Sequence, residues 1–199
     1  IGFLSKKIGM KFLEVGTGDI IENFGPEDVL NYCYAIFHSK EYRTRFSEFM
    51  ENDFPRIPFC TDSELFRELC HQGKRLSTIH RNPARAAEKS GVTFFDAGNR
   101  LVTRAGETGK KLAESKDGIG KLFINSSSYF DSVPTSVWNK VIGTYQVCHK
   151  WMSEKKRNNV VLTVDDEKLF ISMINAILET EETQHQIDGI INKHGGWPL

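Results

Sequence analysis

Apolar side chains recur at helical spacing through residues 25–82, at shorter and less regular spacing through 83–143, and at helical spacing again to the end. Pro26 suits a first helical turn. Val29, Leu30, Cys33, Ile36 and Phe37 then form one predicted helical stripe. Ser39 is a candidate cap for a second helix over about 40–51, with Tyr42, Phe46 and Phe49 as its inner edge. Asp53-Phe-Pro-Arg-Ile-Pro58 stops it, because each proline disfavours helix in the residue before it. Thr61-x-x-Glu64 has the spacing of a capping box. It predicts a helix to about His80, with Leu65, Phe66, Leu69, Cys70, Leu76 and Ile79 inward.

Beyond residue 82 the character changes. Thr93–Phe95, Leu101–Thr103, Lys121–Ile124 and the Tyr129-Phe130 pair read as short strands, with β character continuing through Val137-Trp138 and Val141-Ile142 to Gly143. Residues 83–90 and 104–118 are left open between loop and short helix. Helix returns over Thr144–Glu154, burying Val147, Cys148, Trp151 and Met152. The last helix is capped at Thr163-Val-Asp-Asp166. Its apolar stripe runs from Leu169 to Ile191, its polar face carries Glu179, Glu181 and Glu182, and Gly195-Gly196 ends it. The expected class is α+β: a linker or short hairpin over 1–24, a helical subdomain over 25–82, a small β-rich region over 83–143, and helices over 144–199 that complete the core.

Zero net charge conceals a block pattern. Residues 14–64 hold eleven acidic against four basic side chains, and residues 67–111 ten basic against four acidic. Residues 140–157 hold five basic and one acidic, and 158–199 two basic and seven acidic. One cationic face on an acidic body suits a nucleic-acid reader, although clustered solvated helix faces produce the same counts. No apolar run approaches the roughly 18–20 residues of a membrane span. The four cysteines lack C-x-x-C spacing, so buried reduced thiols and a cytoplasmic setting are expected. A start without methionine suggests a processed chain or, as the preferred reading, an excised fragment.

Catalytic and metal signatures are missing. The six histidines have no H-E-x-x-H spacing, and there is neither a G-x-S-x-G elbow nor a Walker loop. Glu14-x-Gly16-x-Gly18 superficially matches an S-adenosylmethionine turn, but Ile20 follows Asp19 with no third glycine and no βαβ series. Asp53 and Arg56 read as a surface pair. No catalytic or metal site is expected in this chain.

His38-Ser39-x-x-Tyr42-Arg43, Asp53-Phe-Pro-Arg-Ile-Pro58 and Gly143-x-Tyr145-x-Val147-x-x-x-Trp151 together resemble the C-terminal specificity domain of type ISP restriction-modification enzymes. The likeness spans most of residues 25–193 and is faint between about 83 and 125. Thr144 and Cys148 depart from the family pattern, which has Gly and Leu there. The resemblance implies DNA target recognition on behalf of an N6-adenine methyltransferase and nuclease in the same polypeptide. Double-stranded DNA and that methyltransferase domain are the implied partners, with no membrane. S-adenosylmethionine, ATP and Mg would belong to the parent enzyme, with no cofactor in this segment. Candidate phosphate contacts are Arg81, Arg85, Lys89, Lys110, Lys111, Lys155, Lys156 and Arg157. Candidate base readers are Asn99, Arg100, Arg104, Lys121, Asn125, Ser126, Ser127, Tyr129 and Asn139. Trp138 and Tyr145 have apolar neighbours and read as core. The rival expectation is a helical docking domain without DNA contact, acting through the helix over 165–193.

Overall fold

Two units emerge in the computed structural model, which describes residues 1–106 and 111–199. Residues 1–81 and 180–199 form the first, and residues 82–179 the second. The expected boundary at 143/144 therefore moves. Residues 144–179 belong with the β-rich region, and only 180–199 return to the helical unit.

In the first unit the opening residues are neither linker nor hairpin. Helix α1 (Gly2–Ile8) buries Leu4 and Ile8. Strands β1 (Lys11–Phe12) and β2 (Asn23–Phe24) pair in parallel, so the intervening loop must cross over. The glycines that mimic a cofactor motif serve that crossover. The buried Asp28 carboxylate accepts from Gly18 N–H (2.6 Å) and Gly25 N–H (2.8 Å). A Cβ on Gly18 would lie 2.2 Å from the Asn23 carbonyl. Asp19 Oδ1 caps the turn by accepting from the N–H groups of Ile21, Glu22 and Asn23.

Helices α2 (Pro26–His38), α3 (Lys40–Arg45), α4 (Ser47–Asn52) and α5 (Ser63–Arg81) follow. The buried face of α2 is Asp28, Asn31, Tyr32, Ala35 and Ile36, rotated from the predicted stripe, and Leu30 is exposed. Gly73 of α5 explains the rotation. A Cβ there would stand 1.8 Å from the Asn31 carbonyl, so the two backbones touch along the Asn31 edge. Phe24, Phe66 and Tyr32 pack at 5.3 Å centroid spacing between these helices. Each such buried ring contributes about 1.5–3 kcal/mol.

The expected helix over 40–51 breaks at Phe46, and Phe49 points to solvent. Ser39 does cap α3, accepting from Tyr42 N–H at 3.0 Å. The α5 cap is Asp62 and not Thr61, since Asp62 Oδ1 accepts from Glu64 and Leu65 N–H. The proline-rich stop is held by two phenols: Tyr32 donates to the Pro58 carbonyl and Tyr42 to that of Arg56, both at 2.8 Å.

The second unit is built on a four-stranded antiparallel sheet of order β3-β6-β5-β4: β3 (Thr93–Phe95), β4 (Ala113–Lys116), β5 (Ile119–Phe123) and β6 (Tyr129–Pro134). Leu101–Thr103 contributes only a bridge from Leu101 to Val161. Helix α6 (Thr135–Trp138) replaces the β character expected at Val137-Trp138, because Pro134 ends the strand and supplies an extended N-cap. A hairpin of β7 (Val141–Ile142) and β8 (Tyr145–Gln146) leads into α7 (Val147–Arg157).

Helix α8 (Val164–Lys193) gives the second unit its residues to Glu179 and the first unit the rest. Thr163 and Asp166 form a capping box: Thr163 Oγ1 accepts from Asp166 N–H and Asp166 Oδ2 from Thr163 N–H. Phe94, Leu122, Phe130, Val133, Trp138, Met152, Phe170 and Ile174 share the second core. Glu179, expected on the polar face, is buried and accepts from Ala87 N–H at 2.7 Å. Leu169, expected inward, is 43% exposed. Among the described residues no helix is long and apolar enough to cross a membrane.

Candidate nucleic-acid interface

Strand alternation sorts the sheet into two faces. Phe94, Phe130 and Leu122 lie in one cross-strand register and face the core. Their neighbours Phe95, Tyr129 and Phe123 lie in the next register on the opposite face. There they form an aromatic ladder, with ring centroids at 5.0 Å from Phe95 to Tyr129 and 4.9 Å from Phe123 to Tyr129. Phe95 is half-exposed. Lys121 places its ammonium 5.1 Å from the Tyr129 ring and 2.6 Å from Glu114. Tyr129 was expected as a reader; its two phenylalanine partners were missed. The available signal was an aromatic residue beside another apolar one in each strand.

β3 ends, β6 begins and β5 ends at one end of the sheet, and the loops gather there. Asn125 organises them. It is only 2% exposed, and its Nδ2 donates to the carbonyls of Asn99 (2.8 Å) and Leu101 (3.0 Å). Its Oδ1 accepts from Ser127 N–H and Ser128 N–H. Ser128 Oγ accepts in turn from Ala97 N–H. The 96–104 segment is also tied to the loop after α7: Val102 N–H donates to the Val160 carbonyl, and Leu162 N–H to that of Arg100. The cationic end of α7, Lys155-Lys156-Arg157, precedes that loop directly. Lys111 leads into β4 at the same end, since Ala113 pairs with Lys121 two residues before β5 finishes.

Within this group some cations are committed. Arg100 is held by Asp96 (2.6 Å) and Glu167 (3.0 Å), with its guanidinium 4.9 Å from the Phe94 ring. The Arg100 hydrogen bond holds the Asp96 carboxyl below the usual carboxylate value. Lys155 pairs with Asp166 and lies 5.0 Å over Trp151. Burial raises the Asp166 pKa, but hydrogen bonds from Lys155 and Thr163 outweigh it and leave the group lowered. Lys156, Arg157, Lys111 and Ser126 stay exposed, and the two α7 cations have no ion pair among the described residues. Arg104 is exposed as well, and its backbone N–H donates to the Ile124 carbonyl. Asn99 and Ser127 complete the loop surface.

Other expected residues fall elsewhere. Arg81 belongs to the first unit. Arg85 sits in a 3-10 turn over Pro83–Arg85, and the Lys89 backbone N–H donates to Asn175 on α8. Asn139 follows α6 at the far end of the sheet, where Thr135 N–H reaches the Gly118 carbonyl. Lys110 lies outside the described residues. Trp138 is fully buried, as read from sequence. Tyr145 is not core: it is 56% exposed, with Lys150 Nζ 3.9 Å from its ring centroid. The hairpin turn at Gly143 carries it outward with Val141 and Ile142.

This surface offers cations, amide and hydroxyl groups and flat rings. The thiols are not poised for nucleophilic chemistry: burial pushes Cys60 up to about 11 and Cys148 up to about 12. The family model described as the Type ISP C-terminal specificity domain matches residues 5–185. The chain belongs to that family.

This specificity domain is similar in fold to three solved structures. A nuclease-deletion mutant of the Type ISP restriction-modification enzyme LlaGI, in complex with a DNA substrate mimic, superposes with a TM-score of 0.58 at 18% identity, over 83% of this chain and 16% of that one. The ATP-dependent Type ISP enzyme LlaBIII bound to DNA gives 0.56 at 20% identity, over 81% and 11%. A cryo-EM structure of a DrdV–DNA complex gives 0.51 at 17% identity, over 80% and 18%. The specificity domain thus corresponds to less than a fifth of each of those chains. None of the curated proteins matches it. The residues that carry the family resemblance are framework: Ser39 caps α3, Tyr42 holds the proline-rich stop, and Trp151 packs 5.1 Å from Phe170.

Proposed function

We propose that this specificity domain reads the DNA target sequence for a larger restriction-modification polypeptide. The observation that carries the reading is the gathering of loops 96–104 and 124–128 with the Lys156-Arg157 end of α7, at the end of the sheet that bears the Phe95–Tyr129–Phe123 ladder. Lys111, Lys156 and Arg157 hold phosphates, and Arg104, Asn99, Ser126 and Ser127 present donors and acceptors to base edges. Asn125 shapes the loops from below, and Lys155 and Arg100 brace the fold through their carboxylates. In the parent polypeptide the domain directs an N6-adenine methyltransferase and a nuclease. S-adenosylmethionine, ATP and Mg are bound by those other domains.

The docking-helix alternative is less well supported. The α8 stripe is spent internally, with Phe170, Ile174, Ile187 and Ile191 all buried. The test is fluorescence anisotropy with duplex DNA at two ionic strengths. Binding that weakens steeply with salt is expected. Salt-independent affinity, or none at millimolar protein, refutes the proposal.

A further inference from the structure

The first unit contains a second polar cluster, far in sequence from the loops discussed above. Glu64 and Glu68 stand one turn apart on α5, so both carboxylates share a face. His194 follows the end of α8. One ligand atom from each of these three residues lies within 4.8 Å of the others. The imidazole is unusual among the histidines: its side chain is 9% exposed, and its Nε2 is shielded from solvent with no hydrogen-bond partner. That atom faces Glu68, 3.8 Å from Oε2. The other ring nitrogen is engaged, with Nδ1–H donating to Asp62 Oδ2 at 2.7 Å. Asp62 therefore works twice, capping α5 through Oδ1 and orienting the ring through Oδ2.

We propose that Glu64, Glu68 and His194 bind one divalent transition-metal ion, with Asp62 as the carboxylate that orients the histidine. Several features favour a cation over a simple ion-pair cluster. A carboxylate on Nδ1–H fixes the tautomer whose Nε2 lone pair is a ligand, the arrangement common around protein-bound zinc. Asp62, Glu64 and Glu68 bring three carboxylates here, and among the described residues Lys193 is the one ammonium paired with them, 3.0 Å from Glu68 and 3.5 Å from Glu64. The cluster keeps an excess of negative charge with Lys193 in place, and Lys193 is exposed enough to swing away. One imidazole with two carboxylates suits Zn²⁺ and neighbouring ions, at roughly 2.0–2.2 Å after small rotations of the glutamates. The site ties the end of α8 to the start of α5, so its effect is structural, and it stands independently of the DNA reading.

The test is calorimetric titration of the chelator-stripped chain with zinc chloride, with manganese chloride in parallel, and thermal unfolding with and without each metal. One Zn²⁺ per chain and a higher Tm with metal are expected. Glu68→Gln, on a partly exposed side chain, weakens binding at least about tenfold, and Asp62→Asn does so by about tenfold. His194→Ala abolishes binding, and Lys193→Met strengthens it by removing the competing charge. Cys33→Ser leaves it unchanged, which excludes the one thiol that is not buried. Absence of stoichiometric heat and of a Tm shift overturns the proposal. Binding that Glu68→Gln and Lys193→Met leave untouched does the same. Should His194→Ala fail to fold, those two variants decide.

Discussion

Asn125 is the residue on which the proposed reading surface most depends, and its replacement by alanine is the sharpest test of the physical argument. The side chain makes two donated bonds, to the carbonyls of Asn99 and Leu101, and accepts two from the N–H groups of Ser127 and Ser128. Ser128 is fully buried, so its N–H has no route to water once the partner is gone. That single orphaned donor costs about 1–3 kcal/mol, and bonds that solvent replaces cost about 0.5–1.5 kcal/mol each. Asn125→Ala should therefore destabilise the second unit by about 3 kcal/mol, allowing for partial rehydration at Asn99. Asn125→Asp is a stricter probe. It keeps an acceptor for both serines but turns an oxygen toward two carbonyls, so at neutral pH it should be no better than alanine. Its deficit should shrink in acid, where the protonated carboxyl donates again. Urea denaturation followed by tryptophan fluorescence reads this, because Trp138 and Trp151 both lie in that unit. The exposed neighbour serves as a control, with Ser126→Ala within about 0.5 kcal/mol of the parent. A loss below about 1 kcal/mol for Asn125→Ala would refute the assignment of these four bonds.

Three further outcomes are expected. Gly73→Ala should cost about 3 kcal/mol or more in chemical denaturation, since the new methyl overlaps the Asn31 backbone and no side chain can yield; full retention of stability would disprove the contact. Replacing Lys156 and Arg157 by alanine should leave stability within about 0.5 kcal/mol. It should lower the salt slope of DNA binding by about 2 in anisotropy titrations. Asp166→Ala should cost about 1–2 kcal/mol at pH 7. The Asp166 pKa is lowered on folding, so its contribution is present above the ordinary value of 3.8 and lost as pH falls through the lower folded value. Parent and variant melting curves should therefore converge as pH falls below 3.8 and through the lowered folded value, as calorimetry would reveal.

Elements with one dominant cause were legible from sequence. Proline and a serine cap set the ends of α2 and α3, and the long stripe with Thr163 and Asp166 set α8. Elements decided by tertiary contact were not. The α2 stripe turned because Gly73 admits a backbone, a property of another helix. The opening residues looked like a linker because α1 is only seven residues long and its strands only two. Glu179 looked solvated until Ala87 N–H reached it from a segment that periodicity left open. At the candidate interface, composition pointed to the loops but could not separate exposed Ser126 from buried Asn125, which share the same turn-forming chemistry. The Glu64–Glu68–His194 cluster spans more than a hundred residues of chain, so no spacing rule reaches it.

The first unit is discontinuous, and this orders events during synthesis. Residues 82–179 form an uninterrupted stretch with their own core, free to fold as soon as they leave the ribosome. Residues 1–81 must wait. Ile187 and Ile191, both fully buried, arrive roughly a hundred residues later, together with Asp188, whose carboxylate accepts from the Ser39 hydroxyl. Until then the α2–α5 helices expose apolar surface, and translation that stalls before residue 180 would leave residues 1–81 unprotected although they are made before residues 82–179.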